Sequence, residues 1–471
     1  MLASQFVNRG RNRWEYPREG RMQVPVRLYL PDHWLETVDD ESIQQLLDAA
    51  ELAGTTEVFG LPDIHSGYGL PIGGVLATEA PLGVISAGAV GMDINCGVRL
   101  LRSNMVVSEL NKESLRTILG TIEQRIPAGI GKDTIHKELQ GKIAKNVVEQ
   151  GVQALSELDM LWDFDLPRIE DQGCFPGGSL DAVSKKAKER FNQLGTIGGG
   201  NHFIELQEVV EVHDTKAADV FGLFLGQLVV MLHSGSRGFG QQVCTDYSRL
   251  MLEAQKKYGL EIGNKGLAAV PLFSEEGQRY WQAMAAAANY AYANRQVMTY
   301  DIRTSIEQVM GKSAKELGLS LVFDVAHNLA RMEEHEGKEL IVHRKGSIRA
   351  LPPEHQSNPD IYRKTGHPVF VPGSMGTSSY VLTGLPSNKE TLHSINHGAG
   401  RIMSRTQARK GISSKQLKDS MKGIVSSKHA LKSLDEAPAA YKDIDAVIET
   451  LVEIGFTRHV AKLRPIGVIK G

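Results

Sequence analysis

Cysteine is scarce: the 471-residue chain has three, Cys96, Cys174 and Cys244. A chain of this length can bury a large apolar core without covalent staples, so three thiols argue against a disulfide scaffold and for a reducing compartment. An apolar run of membrane-spanning length is missing, as is a basic-then-apolar leader, and the expectation is a soluble cytoplasmic protein with no membrane partner. Neither sign of charge dominates, with 53 Lys and Arg against 55 Asp and Glu. That balance leaves nucleic acid open, because a local basic groove can be offset elsewhere. Internal repeats, low-complexity tracts and Pro/Ser linkers are absent, which favours one large mixed domain over residues 1–471.

Glycine, by contrast, is abundant at 48 residues and is clustered, and clustered glycines mark places where backbone approaches a ligand or takes up positive φ. One cluster, Leu194-Gly-Thr-Ile-Gly-Gly-Gly-Asn-His202, could be mistaken for a dinucleotide fingerprint. The G-x-G-x-x-G spacing is lacking and a strand pattern follows instead of a helix, so a Rossmann reading fails.

The coarse pattern predicts a strand over residues 24–30 and a helix over 38–53 capped by Asp39 or Asp40. Further helices are expected over 108–125, 133–161, 181–191, 241–257 and 443–453, and residues 278–311 are expected to form one long helix or two. The Gly/Pro-dense stretch 60–74 is expected to hold neither helix nor a long strand. Within it Asp63 and His65 alternate, as side chains on one face of extended backbone do; they could position a ligand, or simply each other.

Asp93 and Cys96 lie three residues apart between Gly91 and Gly97. This spacing suits a metal if the backbone turns sharply, and equally a buried thiol beside a turn-capping carboxylate. Two apolar strands each deliver a histidine at the C-terminal end, His233 and His327, and His202 precedes an alternating strand whose expected face is His202, Ile204 and Leu206. After His233 comes Ser234-Gly-Ser-Arg237-Gly, suited to phosphate or to helix capping by Ser236. The segment Ile395-Asn-His397-Gly-Ala-Gly-Arg401 is expected to open a helix, with Arg401, Arg405 and Arg409 recurring along one side beside a backbone nest.

Taken in order, Pro62-Asp-Ile-His-Ser-Gly-Tyr-Gly, Gly91-Met-Asp-Ile-Asn-Cys-Gly-Val-Arg, Gly198-Gly-Gly-Asn-His-Phe, His233-Ser-Gly-Ser-Arg-Gly, Ala326-His-Asn, His343-Arg-Lys-Gly, Pro372-Gly-Ser-Met-Gly-Thr and His397-Gly-Ala-Gly-Arg resemble the RtcB family of 3′-phosphate/5′-hydroxyl RNA ligases. The resemblance spans nearly the whole chain. It implies an α+β fold of the family's own type, with central sheets around a deep metal-containing cleft and neither Rossmann nor P-loop core. It further implies a GTP-dependent ligase holding two Mn²⁺ ions on Asp93, Cys96, His202, His233 and His327, with Cys96 bridging and His397 becoming guanylylated. GTP contacts would fall to Asn201, Glu205, Asn328, Ser378, Gly398, Ala399, Gly400, Arg401, Tyr441 and Lys470. Arg237, Arg344, Lys345, Arg349 and Arg405 would meet triphosphate or RNA phosphates. The implied partners are RNA, with an archease-like activator as a second candidate, and the chain is expected to be a monomer. By themselves, one thiol, three imidazoles and a carboxylate suit Zn²⁺ as readily as Mn²⁺. Two departures stand out: His367 where relatives usually carry Gln, and Ser347-Ile348 in place of a commoner Ala-Thr pair.

Overall fold

A computed structural model describes residues 2–471. Its centre is an eight-stranded sheet in which the strands Ser320–Ala326, Gly97–Val106, Gln227–Ser234, Phe203–Val212, Thr457–Lys470, Ser379–Gly384 and Val369–Val371 lie side by side in that order, with Val425–Ser426 paired parallel to Thr457–Lys470. The sheet curls, and Phe323 of its first strand meets His367, just before its last, at a ring-centroid distance of 5.0 Å. A second sheet of seven strands runs Val7–Gly10, Arg13–Tyr16, Val26–Tyr29, Thr55–His65, Ile72–Glu79, Lys338–Lys345 and Asn328–His335. The architecture is the expected α+β mixture of sheets and helices.

One helix of 36 residues, Glu275–Met310, crosses the core. Ser274 caps its start by accepting from Gly277 N, and it ends at Gly311. Its alanines and Tyr280, Tyr290 and Tyr292 are fully buried, so the tyrosines are packing residues. The helix packs against Lys112–Arg125, Lys142–Gln150, Arg237–Ala254 and the strand Gln227–Ser234. Among the described residues no helix is long and apolar enough to cross a membrane.

Several expected elements are redrawn. The helix over 38–53 is Asp40–Ala50, with Asp39 accepting from Ser42 N at 2.8 Å. The helix over 133–161 breaks at Gly141 and Gly151 into short 3₁₀ turns and the helix Lys142–Gln150. The basic segment 181–191 keeps one helical turn, Lys185–Lys188, because only Ala187 of that turn is buried and nothing apolar holds its lysines down. Contrary to expectation, a long strand does persist into the Gly/Pro-dense stretch: Thr55–His65 runs through Pro62. Its pairing with Ile72–Glu79 lapses between Gly60 and His65, and Pro62, which has no N–H to donate, falls in that gap. The helix over 241–257 starts earlier, at Arg237, and Ser236 makes no side-chain cap. His397 does not open a helix. The strand Ser394–Asn396 ends there, and the seven-residue helix Arg405–Gly411 begins only after a capping box of Ser404 and Gln407. The intervening loop presses Gly400 against Asp63, where a side chain would collide with the Asp63 carbonyl.

Candidate active site

The sheet order explains how residues far apart in sequence meet. Four adjacent strands alternate in direction, and register places Gly97 opposite both Ser234 and Ala326, and Phe203 opposite His233. The starts of two strands and the ends of two others therefore share one edge. Cys96 and His202 stand just before their strands, and His233 and His327 at the ends of theirs. His202 itself lies outside the strand Phe203–Val212, so it does not share a face with Ile204 and Leu206, which pack in an apolar cluster with Leu232. Phe203, Glu205 and Gln207 take the opposite face, the side of His233.

At this edge Cys96 Sγ lies 3.2 Å from His202 Nε2 and 3.3 Å from His233 Nε2. His233 Nε2 is 3.3 Å from His327 Nε2, and His202 Nε2 is 2.8 Å from Asp93 Oδ2. Two ligand triads result, Cys96/His233/His327 and Asp93/Cys96/His202, and Cys96 belongs to both. His202 donates from Nδ1 to the Ile197 carbonyl at 3.0 Å, which leaves its Nε2 lone pair facing the thiol.

Burial pushes the Cys96 thiol well above its usual range, and the Asp93 carboxylate pushes it further. Burial, followed by neighbouring imidazoles, drives His233 and His327 well below theirs. Burial works to raise Asp93, but the hydrogen bond and charge of His202 outweigh it and hold the carboxyl far down. The Nε2 atoms of His202, His233 and His327 thus crowd together with Cys96 Sγ and Asp93 Oδ2 in one cluster. Converging lone pairs of this kind are poorly satisfied by protons and well satisfied by divalent cations, so the donor set fits metal.

His397 stands beside this cluster, its ring 4.7 Å from that of His327. Asp63, fully buried, accepts from His397 Nδ1 at 2.7 Å, from His397 N at 3.1 Å and from Gly398 N at 3.3 Å. Asp63 is not among the site residues expected from the sequence. Its alternation with His65 was the available signal, and nothing local could show that its partner lies 334 residues on. His65 instead turns its Nδ1 to the Asp63 carbonyl.

Two cavities open onto the cluster. One, of about 660 Å³, is lined by Asn201, His233, His397 to Arg401 and Tyr441. The other, of about 580 Å³, is lined by Asp93, Lys186, Arg190 and Arg237. Arg405 borders both. The Arg237 guanidinium lies across Gly198, where any side chain would collide with it.

The remaining expected contacts divide. Lys470 Nζ donates to Asn201 Oδ1 at 2.6 Å, and Gly471 N donates to the His202 carbonyl at 3.3 Å, so this end of the last strand is pinned to the glycine loop. Lys470 and Glu205 are buried behind the cavity; burial drives Lys470 down and Glu205 up to about 8, with Gln207 and Lys470 opposing the latter shift. Asn328 ties loops together, donating to the Asp93 carbonyl and accepting from Gly346 N. Ser378 is half-buried just before the strand Ser379–Gly384. Arg401 donates to the Tyr441 hydroxyl at 2.9 Å and sits 3.4 Å from Glu436, while Arg405 and Arg409 pair with Glu436 and Asp435. The three arginines thus converge on an acidic loop, not along one helix.

Arg344, Arg349 and Lys345 are engaged elsewhere. Arg344 is buried and spends its fork on Glu333, Ser394 and the Leu392 carbonyl. Arg349 pairs with Glu170 at 3.1 Å. Lys345 caps the carbonyls of Tyr68 and Gly88, and burial lowers it to about 8. His367 is a core residue against Phe323, away from the cluster, whereas Ser347 donates its hydroxyl to the Gly74 carbonyl and its N–H to the His327 carbonyl at 3.2 Å.

Residues 45–471 match the family model described as tRNA-splicing ligase RtcB. Proteins so named are similar to this chain along its whole length. That of Thermococcus kodakarensis is 44% identical, with 98% of this chain and 97% of the relative covered. Those of Archaeoglobus fulgidus and Nanoarchaeum equitans are 41% and 43% identical, over 98% and 97% of this chain and 97% and 98% of theirs.

Proposed function

The chain belongs to the RtcB family of tRNA-splicing ligases, and we propose that it joins RNA 3′-phosphate or 2′,3′-cyclic phosphate ends to 5′-hydroxyl ends, with GTP as co-substrate and Mn²⁺ as its metal, in tRNA splicing or RNA repair. One observation carries the reading: an imidazole oriented by a buried carboxylate stands between a nucleotide-sized cavity and a cluster of metal-type ligands. Asp63 holds the proton on His397 Nδ1, which leaves the Nε2 lone pair free as a nucleophile.

His397 Nε2 attacks the α-phosphorus of GTP; the P–N bond forms as the bond to pyrophosphate breaks, and Asp63 stabilises the positive charge gained by the ring. The guanylate then passes to the RNA 3′-phosphate, which releases His397. A cyclic end must first be opened by water to expose that phosphate. Attack by the 5′-hydroxyl on the RNA phosphorus expels GMP and seals the strand. Asp93, Cys96 and His202, with Cys96, His233 and His327, would hold the two ions, whose chemistry is to neutralise and align phosphoryl oxygens. Arg237 and Arg405, at the cavity walls, suit phosphate, and Arg401 holds Tyr441 against the nucleotide pocket. A carboxyl and an amine side by side, Glu205 and Lys470, complement the N–H edge and O6 of guanine.

The test is incubation with labelled GTP and Mn²⁺: the wild-type chain should carry a GMP adduct and His397→Ala none, and an equally labelled mutant would sink the assignment. A gel assay joining 3′-phosphate RNA to 5′-hydroxyl RNA should then require both GTP and Mn²⁺. Cleavage of cyclic ends without joining would mark a phosphodiesterase instead.

A further inference from the structure

Beneath the ligand cluster lies a pair of residues on the long helix that the chemistry above does not use. Arg295 is fully buried, and its single guanidinium reaches three ligand-bearing segments. Nη1 donates to the carbonyl of Asn95 at 2.8 Å, one residue before Cys96, and to the carbonyl of Ser234 at 3.0 Å, one residue after His233. Nη2 and Nε grip Asp324 at 2.8 and 3.0 Å, three residues before His327 on the strand that leads to it. Asn294 covers the fourth segment. Its Oδ1 accepts from Gly195 N and Thr196 N at 2.7 and 3.1 Å, and its Nδ2 donates to the carbonyls of Thr196 and Gly235 at 3.2 and 3.0 Å. The next residue, Ile197, supplies the carbonyl that orients His202.

The need for such a device follows from where the ligands sit. Strand pairing ends at Gly97↔Ser234 and Gly97↔Ala326, so the backbone carrying Cys96, His202 and His327 has left the ladder that would otherwise fix it, and the ladder that holds His233 ends one residue later. Asn95 also adopts left-handed backbone, φ 54°, which neighbouring structure must maintain. A planar guanidinium can bind two carbonyls and a carboxylate at once in fixed directions, and an ammonium cannot.

We propose that Arg295 and Asn294 are the positioning residues of the metal centre, setting the distances among Cys96, His202, His233 and His327 before any ion binds. The inference rests on the metal-centre reading above. It assigns Arg295 chiefly to the ion held by Cys96, His233 and His327, and Asn294 chiefly to the ion held by Asp93, Cys96 and His202.

Arg303 provides the control. It lies on the same helix, equally hidden, and grips Asp165 at 2.7 and 2.8 Å, but it touches no ligand segment. The full chain, stripped of metal, is titrated with Co²⁺ while the thiolate-to-cobalt absorption is followed, and with Mn²⁺ by calorimetry; thermal unfolding of the metal-free protein is measured alongside. Arg295→Lys should weaken the first ion about tenfold or more and shift the cobalt band, whereas Arg303→Lys should lose thermal stability but keep both affinities. Wild-type affinity and spectrum in Arg295→Lys, or equal weakening in Arg303→Lys, overturns the proposal while leaving the metal centre standing. If Arg295→Lys is not recovered folded, Asn294→Ala takes its place, with about tenfold weaker binding expected at the second ion and wild-type affinity there refuting the idea. A wild-type chain without any thiolate–cobalt band overturns the metal reading, and this inference with it.

Discussion

The edge that carries the proposed metal ligands and the arginine-rich side of the cleft are built on opposite plans. At that edge, sheet register brings four residues from four strands together, and each imidazole and thiol is buried. On the other side, cations come from loops and a seven-residue helix, and most are already paired: Arg401, Arg405 and Arg409 with Asp435 and Glu436. A buried metal ligand has few alternative partners, so its residue type is informative. An arginine can satisfy itself with any nearby carboxylate, and its type alone says little about where its charge is used.

The sharpest way to break this comparison is at the point where the two sides meet. Beyond loss of the adduct in His397→Ala, Asp63→Asn should slow GMP-adduct formation by about 10²- to 10⁴-fold, since the amide can no longer hold the proton on Nδ1 as an anion does; rapid-quench labelling with GTP reads the rate, and a wild-type rate would remove Asp63 from the mechanism. At the ligand edge, Cys96→Ser should weaken both ions and His327→Ala mainly one, by about tenfold or more each, in a metal titration. Equal loss at both sites in His327→Ala would show that the triads do not act separately.

The arginine side makes the converse demand. Arg344→Ala should cost about 3 kcal/mol of unfolding free energy, because it strips a buried partner from Glu333, and leave RNA affinity little changed. Arg405→Ala should instead lower the slope of log affinity against log salt by about one, with little effect on stability. Denaturant melts and salt-dependent RNA binding separate the two, and a salt effect in Arg344→Ala would put its charge back in the cleft.

The last effect concerns His367 and emerges only on acidification. Burial lowers its imidazole to about 3, below the unfolded value near 6.5. Between those values the unfolded chain binds the extra proton, so this group's contribution is fully present above pH about 6.5 and is lost as pH falls toward 3. Replacing it by Gln, which carries no titrating group, should flatten the pH dependence of stability in that window by about 1.4 kcal/mol per pH unit. An unchanged slope would mean that the ring is not buried neutral.

Much of the thiol–imidazole cluster was legible because the pattern of apolar strand followed by histidine carries both halves of its own explanation: the strand predicts burial, and a buried histidine needs a partner. Fold boundaries were less legible wherever glycine or proline stood. Pro62 lies inside a strand because the ladder lapses around it, and the loop after His397 defeats a helix because Gly400 must lie flat against Asp63. The acidic loop at Asp435 and Glu436 carries no signal of its role in the sequence, since exposed and buried carboxylates look alike in one dimension.

By itself the amino-acid sequence determined the chemistry available to this protein: one thiol, three strand-end imidazoles, a carboxylate and a further histidine in a glycine-rich turn. Only the tertiary structure decided which groups meet. Sheet register brought Cys96, His202, His233 and His327 to one edge, and a lapse in pairing delivered Asp63 to His397. Local carboxylates drew Arg344 and Arg349 away from the cleft. The physical reason is that side-chain identity sets what a group can bind, whereas long-range packing sets which partner reaches it first in space, and that selection is made across hundreds of residues.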